Sequence, residues 1–334
     1  MRQAMSMDGE ARQVCVRSAS LHARGDLDGA IAEIEQALQI DPRCAEAWNN
    51  RGAIRYARGD ACGAMADFDR ALEVHPCYSE AYNNRGIVRH ATGDFAGALI
   101  DFDQALQICP RYAEALANRG ITRHALGNLA GAMADFNLAL DIYPNYAEAL
   151  LGRAFARHDS GEYDEAIADC DEVLQLIPRL AAAKVYHLRG GIRVSQRRIA
   201  DAVADFDRAL EIDPRFCMAY ISRGNARHHL RDLAGQADYW TAFQINPQGA
   251  AAEITRVLIA NLQAEGESAL ETCRKHVRVC PNDIVAYARR GLSLLLLGKE
   301  ADAALDLDQI FRRWPDWRDN IELVIKAVKQ QRGQ

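Results

Sequence analysis

The sequence predicts an all-α protein, an elongated solenoid in which one pair of helices is repeated along the chain. Its nine prolines are the first sign, because successive prolines stand 33 to 36 residues apart. A period of that length is typical of stacked supersecondary units. Most intervals carry two apolar patterns with helical spacing, separated by a short polar or glycine-containing turn. The proportions of 49% hydrophobic and 26% charged residues indicate a folded chain.

Each repeat is expected to contain a first and a second helix, as the segment from Ala45 to Tyr78 illustrates. The third residue after each proline is numbered here as position 1 of a 34-residue repeat. The first helix is predicted over residues 45–58 and should end at Gly59, since glycine readily adopts the left-handed conformation that terminates helices. Asp60 should then cap a second helix over residues 61–74. The two helices would form one hairpin per proline.

The period defines the domain organisation. Residues 1–10 are expected to form a disordered N-terminal arm, and residues 11–317 contain nine repeats. The period breaks near residues 181–182, where two residues are inserted, and over residues 230–270, where one repeat is shortened and the next is degenerate. We expect a kink or a widened groove in the second of these regions. Residues 318–334 should provide a C-terminal capping helix and a tail, as the end of a solenoid requires.

The residues that recur at fixed positions resemble a known family. A bulky residue recurs at position 4, a small one at position 8, alanine at positions 20 and 27, and an aromatic residue at position 24; the second repeat shows Trp48, Gly52, Ala64, Ala71 and Phe68. This pattern resembles the tetratricopeptide repeat (TPR) and covers residues 11–317. The resemblance implies a superhelix whose first helices, here residues 45–58, 79–92 and 113–126, line a concave ligand-binding face.

Arginine occupies position 7 in all nine repeats, and an acidic residue occupies position 23 in eight of them. Position 7 lies on the flank of the packing face of the first helix, where a charge must be paired. We therefore predict forked arginine–carboxylate pairs with a structural role. In particular, Arg85 and Arg119 should each lie within salt-bridge distance of a position-23 aspartate.

Three polar columns of the first helix are candidates for partner binding. They are position 2 (Glu46, Glu80, Glu114 and Glu148), position 5 (Asn49 and Asn83) and position 6 (Asn50, Asn84 and Asn118). Asparagine is a poor helix former, and its amide can read a peptide backbone without selecting side chains. The position-6 column is similar to the asparagine ladder in the tetratricopeptide superhelix of O-GlcNAc transferase. The alternative is that duplication copied the asparagines without function. If they bind a ligand, truncating them should weaken binding and change stability little, because alanine is the better helix former.

Position 12 carries a further column of rings, Tyr56, His90, His124 and His158 among them. These side chains could tune ligand binding near neutral pH, or they could be plain surface residues or pack between repeats. A metal site is not expected, because equivalent residues of neighbouring repeats lie about 10 Å apart, too far to share one ion.

The remaining features argue against several classes of function. A net charge of −6 gives no reason to expect nucleic-acid binding, and no apolar run is long enough to span a membrane. The sequence contains no catalytic or nucleotide-binding motif such as G-x-S-x-G, H-E-x-x-H or G-x-x-x-x-G-K-[ST], so neither an enzyme nor a cofactor is expected. The nine cysteines include no C-x-x-C pair, and we expect them to be reduced, small apolar side chains in a cytoplasmic protein.

The sequence therefore favours a non-catalytic adaptor or scaffold that binds an extended segment of a partner protein in its concave groove. The acidic lining at position 2 indicates that this segment is basic. The alternative is a homotypic scaffold that assembles through its ends or inserts its own tail into a neighbour's groove. The identity of the partner and the oligomeric state are not encoded in these patterns.

Overall fold

The computed structural model describes residues 13–18, 20–21, 23–178, 181–230, 232, 235–246, 267–279 and 284–331. Within these ranges the chain is helical, and they contain no β-strand. The chain divides into two compact units, Met1–Leu176 and Ile177–Gln334. The predicted all-α solenoid is confirmed, because helix pairs follow one another in each unit.

The first unit contains ten helices among its described residues. They are α1 (helical residues 13–18, 20–21 and 23), α2 (Leu27–Ile40), α3 (Ala45–Ala57), α4 (Ala61–Val74), α5 (Ser79–Ala91), α6 (Phe95–Ile108), α7 (Ala113–Ala125), α8 (Leu129–Ile142), α9 (Ala147–Ser160) and α10 (Tyr163–Leu176). The predicted first helices at 45–58, 79–92 and 113–126 each end one residue earlier than expected. The second helix of the second repeat has the predicted bounds.

The second unit continues the same pattern. Its described helices are α11 (Ala183–Ser195), α12 (Ile199–Ile212), α13 (Cys217–His229), α14 (Gly235–Ile245), α15 (Glu267–Val279), α16 (Ile284–Leu296), α17 (Glu300–Arg313) and α18 (Arg318–Gln331), with a short 3₁₀ turn at Pro315–Trp317. Helix α18 buries Ile321, Val324 and Val328 in the same hydrophobic cluster as Leu292 of α16. Most of its opposite side is exposed, which suits a terminal helix.

The turn between the two helices of a repeat forms as its sequence predicts. Gly59 has a φ of +85°, in the left-handed region, and ends the first helix. The Asp60 carboxylate accepts a hydrogen bond of 2.8 Å from the backbone N–H of Gly63 and so caps α4. The same glycine and the same type of cap recur at the start of α2, α6 and α8.

Within a repeat, the two helices approach closely because a small residue faces a large one. In the second repeat, a Cβ atom on Gly52 would lie 2.7 Å from the ring of Phe68, which is 1% exposed. Ala64 and Ala71 of α4 are fully buried on the same side. Positions 8, 20, 24 and 27 are therefore set by packing.

Some expectations fall outside the described residues. These are the N-terminal arm at 1–10, the first helix of the eighth repeat, the tail at 332–334 and most of the irregular region at 230–270. Of the inserted pair, Ala181 has 3₁₀-helical backbone, and Ala182 is buried in a turn directly before α11. The shortened seventh repeat keeps its arginine–aspartate pair, because Arg223 bonds Asp238, 15 rather than 16 residues away.

Candidate functional site

The first helices of the first unit form the surface that the sequence assigns to a ligand. Helix α3 packs against α5, α5 against α7 and α7 against α9, whereas successive second helices contact each other less. The first helices therefore lie on the inner side of the curve within this unit. We call the surface of α3, α5, α7 and α9 the inner face.

The asparagines of the inner face are bonded to one another across repeats. The Asn84 side-chain N–H donates to the Asn49 side-chain oxygen over 3.0 Å, and Asn118 donates in the same way to Asn83 over 3.0 Å. Asn49 and Asn83 are buried, with exposures of 4% and 2%, whereas Asn50, Asn84 and Asn118 are half-buried. Positions 5 and 6 thus form a pair that joins neighbouring repeats.

This pairing accounts for where the asparagine column stops. At the next interface, position 5 is Ala117 and position 6 is Gly152, so acceptor and donor are lost together. In the second unit, His187 at position 5 bonds Ser222 at position 6 over 2.9 Å, with different side chains at the same two positions. The amides therefore have a structural role that was not foreseen. Truncation of Asn84 or Asn118 would leave a buried oxygen without its partner, which changes the expectation that stability would fall little.

The position-2 glutamates lie beside a column of tyrosines at position 34. Glu80, Glu114 and Glu148 are exposed, and Glu46 is half-buried. The Tyr78 hydroxyl donates to Glu80 over 3.3 Å. The three tyrosines of this column share one electrostatic setting. Burial raises the pKa of Tyr78, Tyr112 and Tyr146, and so do two position-2 glutamates, the one of the next repeat and the one of the tyrosine's own repeat.

A cleft of about 510 Å³ opens at the N-terminal end of this column, lined by Cys44, Glu46, His75 and Tyr78 among others. It lies where the first and second repeats meet. Aromatic and acidic groups together suit a basic side chain.

Three of the four predicted position-12 rings make contacts across repeats or to a neighbouring acid. The His90 ring nitrogen lies 3.0 Å from the Thr122 hydroxyl of the next repeat, and burial lowers the pKa of His90. His124 lies 2.9 Å from an oxygen of Asp159, and His158 lies 3.0 Å from the other oxygen of the same carboxylate. Tyr56 packs partly buried against the cluster of Ala64, Phe68 and Val88. These contacts favour packing between repeats for this column.

The predicted arginine–carboxylate pairs are confirmed. Arg85 lies 2.6 Å from Asp101, and Arg119 lies 2.6 Å from Asp135, each within one repeat. The same pair forms in every other repeat whose position 7 the structure describes: Arg17–Glu33, Arg51–Asp67, Arg153–Asp169, Arg189–Asp205, Arg223–Asp238 and Arg290–Asp306. Arg256 lies outside the described residues. Since the aspartates are buried, the arginines that bind them are structural rather than ligand-binding. The Arg17–Glu33 pair is more exposed.

The comparisons with known proteins agree with this geometry. A family model described as TPR repeat matches residues 20–59, and models described as tetratricopeptide repeat match residues 79–112, 113–146 and 188–251. The chain belongs to the tetratricopeptide repeat family. Tetratricopeptide proteins in general serve as scaffolds for protein–protein interaction, and this chain is one of that class. No curated protein sequence matches it.

Solved tetratricopeptide structures show the same fold at low sequence identity. A tetratricopeptide repeat protein from Parabacteroides merdae is 22% identical with a TM-score of 0.56, and the match covers 71% of this chain and 93% of that one. PilF of Pseudomonas aeruginosa is 18% identical with a TM-score of 0.56, covering 63% and 94%. The APC/C hetero-tetramer Cut9–Hcn1 matches at 14% identity with a TM-score of 0.62, covering 69% and 45%.

Further tetratricopeptide positions carry contacts that the sequence reasoning missed. Position 11 is a second arginine that bonds the same buried aspartate, as Arg89 does to Asp101 over 2.9 Å. Position 25 ties repeats together, since Arg85 also bonds Asp69 of the preceding repeat over 2.6 Å. For Arg153 of the fifth repeat, the equivalent partner in the fourth repeat is a neutral amide, Asn137, 2.9 Å away. The signal was present in the sequence, because arginine recurs at position 11 in six repeats and aspartate or asparagine at position 25.

Two further properties of the described part of the structure bear on other functions. None of the described helices combines the length and apolar character needed to cross a membrane. The described residues also contain no group of three or more histidine, cysteine, aspartate or glutamate side chains placed to hold a metal ion.

Proposed function

We propose that this chain is a non-catalytic, cytoplasmic adaptor whose inner face holds an extended, basic segment of a partner protein. One observation carries the proposal: the position-7 and position-11 arginines of the first helices are engaged by carboxylates and amides of the second helices. The position-2 glutamates Glu80, Glu114 and Glu148 remain as exposed charges on the inner face. The free charge of this surface is therefore negative although arginine is abundant.

The spacing of the glutamates sets a preferred spacing in the ligand. Neighbouring helix pairs are separated by about 10 Å, and an extended peptide advances about 3.3 Å per residue. One glutamate therefore corresponds to about every third residue of the ligand. The half-buried tyrosines at position 34 flank each glutamate and would contact the aliphatic part of a lysine or arginine side chain. The half-buried amides of Asn50, Asn84 and Asn118 can add a contact to the ligand backbone beside their bonds to other asparagines.

The test compares peptides of identical composition by fluorescence anisotropy. We expect a peptide with lysine at every third residue to bind more tightly than one with lysine at every second residue, and the difference to shrink in high salt. The variant Glu80→Gln/Glu114→Gln should weaken binding by about tenfold, since removing two attractive charges costs on the order of 1.4 kcal/mol.

The control is Glu35→Gln/Glu73→Gln, which removes the same charge from exposed positions of the second helices α2 and α4. Equal affinity of the two peptides, or equal weakening by the two variants, would contradict the proposal. If the chain instead forms a homotypic scaffold, light scattering will show a mass that rises with protein concentration without any peptide.

A further inference from the structure

The inner face changes character where the fourth and fifth repeats meet. At the two preceding interfaces, positions 5 and 6 hold a bonded pair of asparagines. At this interface the same positions hold Ala117 and Gly152. Position 9 of the same two helices, α7 and α9, carries the large apolar residues Ile121 and Phe155. The polar centre of the face is thus replaced by two small residues beside two large apolar ones.

A side-chain contact gives the register of α7 against α9. His124, near the end of α7, lies 2.9 Å from an oxygen of Asp159, near the end of α9. Ile121 lies three residues before His124 in the sequence. Phe155 lies four residues before Asp159. Both apolar residues are therefore about one helical turn from the same contact, and they lie side by side on neighbouring helices.

The two apolar side chains are open to solvent. Ile121 is 37% exposed and Phe155 is 47% exposed. Ala154 and Ala156, on either side of Phe155 in the sequence, are fully buried. Helix α9 thus packs its other sides into the core and leaves the phenyl ring uncovered. No other large apolar residue in the described helices α3, α5, α7 and α9 is exposed.

Exposed carboxylates lie on the other side of the small pair. Position 2 of the same helices carries Glu114 and Glu148, about one turn before Ala117 and Gly152. A peptide backbone lying over the two small residues therefore has the acidic groups on one side and the apolar pair on the other, each about 5 Å away along the helices. Successive side chains of an extended chain point to opposite sides. A basic residue and its neighbour in sequence can thus reach both sides at once.

We propose that Ile121 and Phe155 form an apolar subsite of the inner face, which receives a leucine-sized side chain of the partner segment directly beside a lysine or arginine. This proposal rests on the proposed function, because the position-2 glutamates supply the charge complementarity that brings a basic segment to this surface. The glutamates recur in four successive repeats, whereas the exposed apolar pair occurs at one interface of the inner face. The apolar subsite therefore fixes the register in which the segment binds.

The test measures by fluorescence anisotropy how much affinity a single leucine adds. The reference peptide has lysine at every third residue and serine elsewhere. In two further peptides, leucine replaces the first or the second serine between the central lysines. The full-length protein should bind the tighter of the two leucine peptides about tenfold more tightly than the reference, because part of the leucine side chain leaves water. High salt should weaken the binding of all three peptides but preserve this gain.

Variants then locate the subsite. Ile121→Ser/Phe155→Ser should abolish the gain from leucine and leave the affinity for the reference peptide unchanged. The control Ile100→Ser/Leu138→Ser replaces exposed apolar residues of the second helices α6 and α8, and it should keep the full gain. The conservative variant Phe155→Leu should keep most of it. Circular dichroism checks that each variant is folded.

The apolar subsite and the acidic lining fail in different ways. The subsite is overturned if leucine adds no affinity to the wild-type complex, if the gain survives in Ile121→Ser/Phe155→Ser, or if the control loses the gain equally. If the gain depends on the apolar pair but Glu80→Gln/Glu114→Gln leaves the affinity for all three peptides unchanged, the subsite stands and the basic character of the segment is overturned. Absence of binding by every peptide would overturn both.

Discussion

At the scale of single residues, the paired amides of positions 5 and 6 show how one side chain holds two repeats. Asn49 is buried and receives its hydrogen bond from Asn84, 35 residues later. Replacing Asn84 with alanine should lower the free energy of unfolding by about 1–3 kcal/mol, because the Asn49 oxygen is then buried without a partner. The double variant Asn49→Ala/Asn84→Ala should recover part of that loss, since both partners are gone.

Denaturant unfolding of the two single variants and the double variant gives a double-mutant cycle. The natural Ala117 and Gly152 at the equivalent positions of the next interface indicate that loss of both groups is tolerated. Additive single effects would mean that the two amides do not depend on each other.

Two adjacent glycines of α11 separate packing from helix propensity. A Cβ atom on Gly190 would lie 2.6 Å from the Phe206 ring, whereas a Cβ atom on Gly191 would have nothing within 4 Å. Gly190→Ala should therefore destabilise the protein by about 1–3 kcal/mol. Gly191→Ala should stabilise it by up to about 1 kcal/mol, because alanine is the better helix former. Thermal unfolding measures the stability of both variants. A loss of stability in both would mean that contact with the Phe206 ring does not explain the effect of alanine in helix α11.

At the scale of elements, the turn of the sixth repeat departs from the pattern of the first five. The first five repeats place glycine in the left-handed conformation at position 15, with φ between +76° and +85°. The sixth repeat places Arg197 there, at φ +62°, followed by Arg198, whose side chain makes no capping hydrogen bond. The turn thus keeps its backbone shape while its sequence lacks the residues that favour that shape.

Arg197→Gly should raise the free energy of unfolding by about 1 kcal/mol, because a non-glycine residue in the left-handed region costs about 1–2 kcal/mol. Gly161→Arg makes the opposite exchange at the same position of the fifth repeat, where φ is +81° and a Cβ atom would meet nothing within 4 Å. It should lower stability by a similar amount. Chemical denaturation of both variants is the measurement, and effects of the same sign would contradict the argument.

At the scale of the whole molecule, the sequence predicted the features that arise within a single repeat. The glycine turn at Gly59 and the pairing of Arg85 with a position-23 aspartate depend on residues within one repeat. The contacts between repeats were harder to predict. The bonds of Asn84 to Asn49 and of Arg85 to Asp69 join side chains of different repeats, and periodicity alone does not say which neighbour a side chain reaches.

The candidate site was predictable in part for the same reason. The glutamates at position 2 needed only the helical period to be placed on the first helices. The burial of Asn49 and Asn83 depends on how closely α5 and α7 approach the preceding first helix, which no single-repeat pattern contains.

The uneven interfaces between repeats have a mechanical consequence. A tensile force along the first unit would act on its interfaces in series, so the interface with the weakest polar contacts would open first. Between the second and fifth repeats, the interface that lacks both the amide pair and the arginine–aspartate pair joins the fourth repeat to the fifth, where His124 still meets Asp159 over 2.9 Å. There Ala117 and Gly152 replace the amide pair, and Arg153 meets the neutral Asn137 where its counterparts meet an aspartate. Under load, the inner face would therefore separate after the third glutamate of its column and leave Glu46, Glu80 and Glu114 together on one fragment.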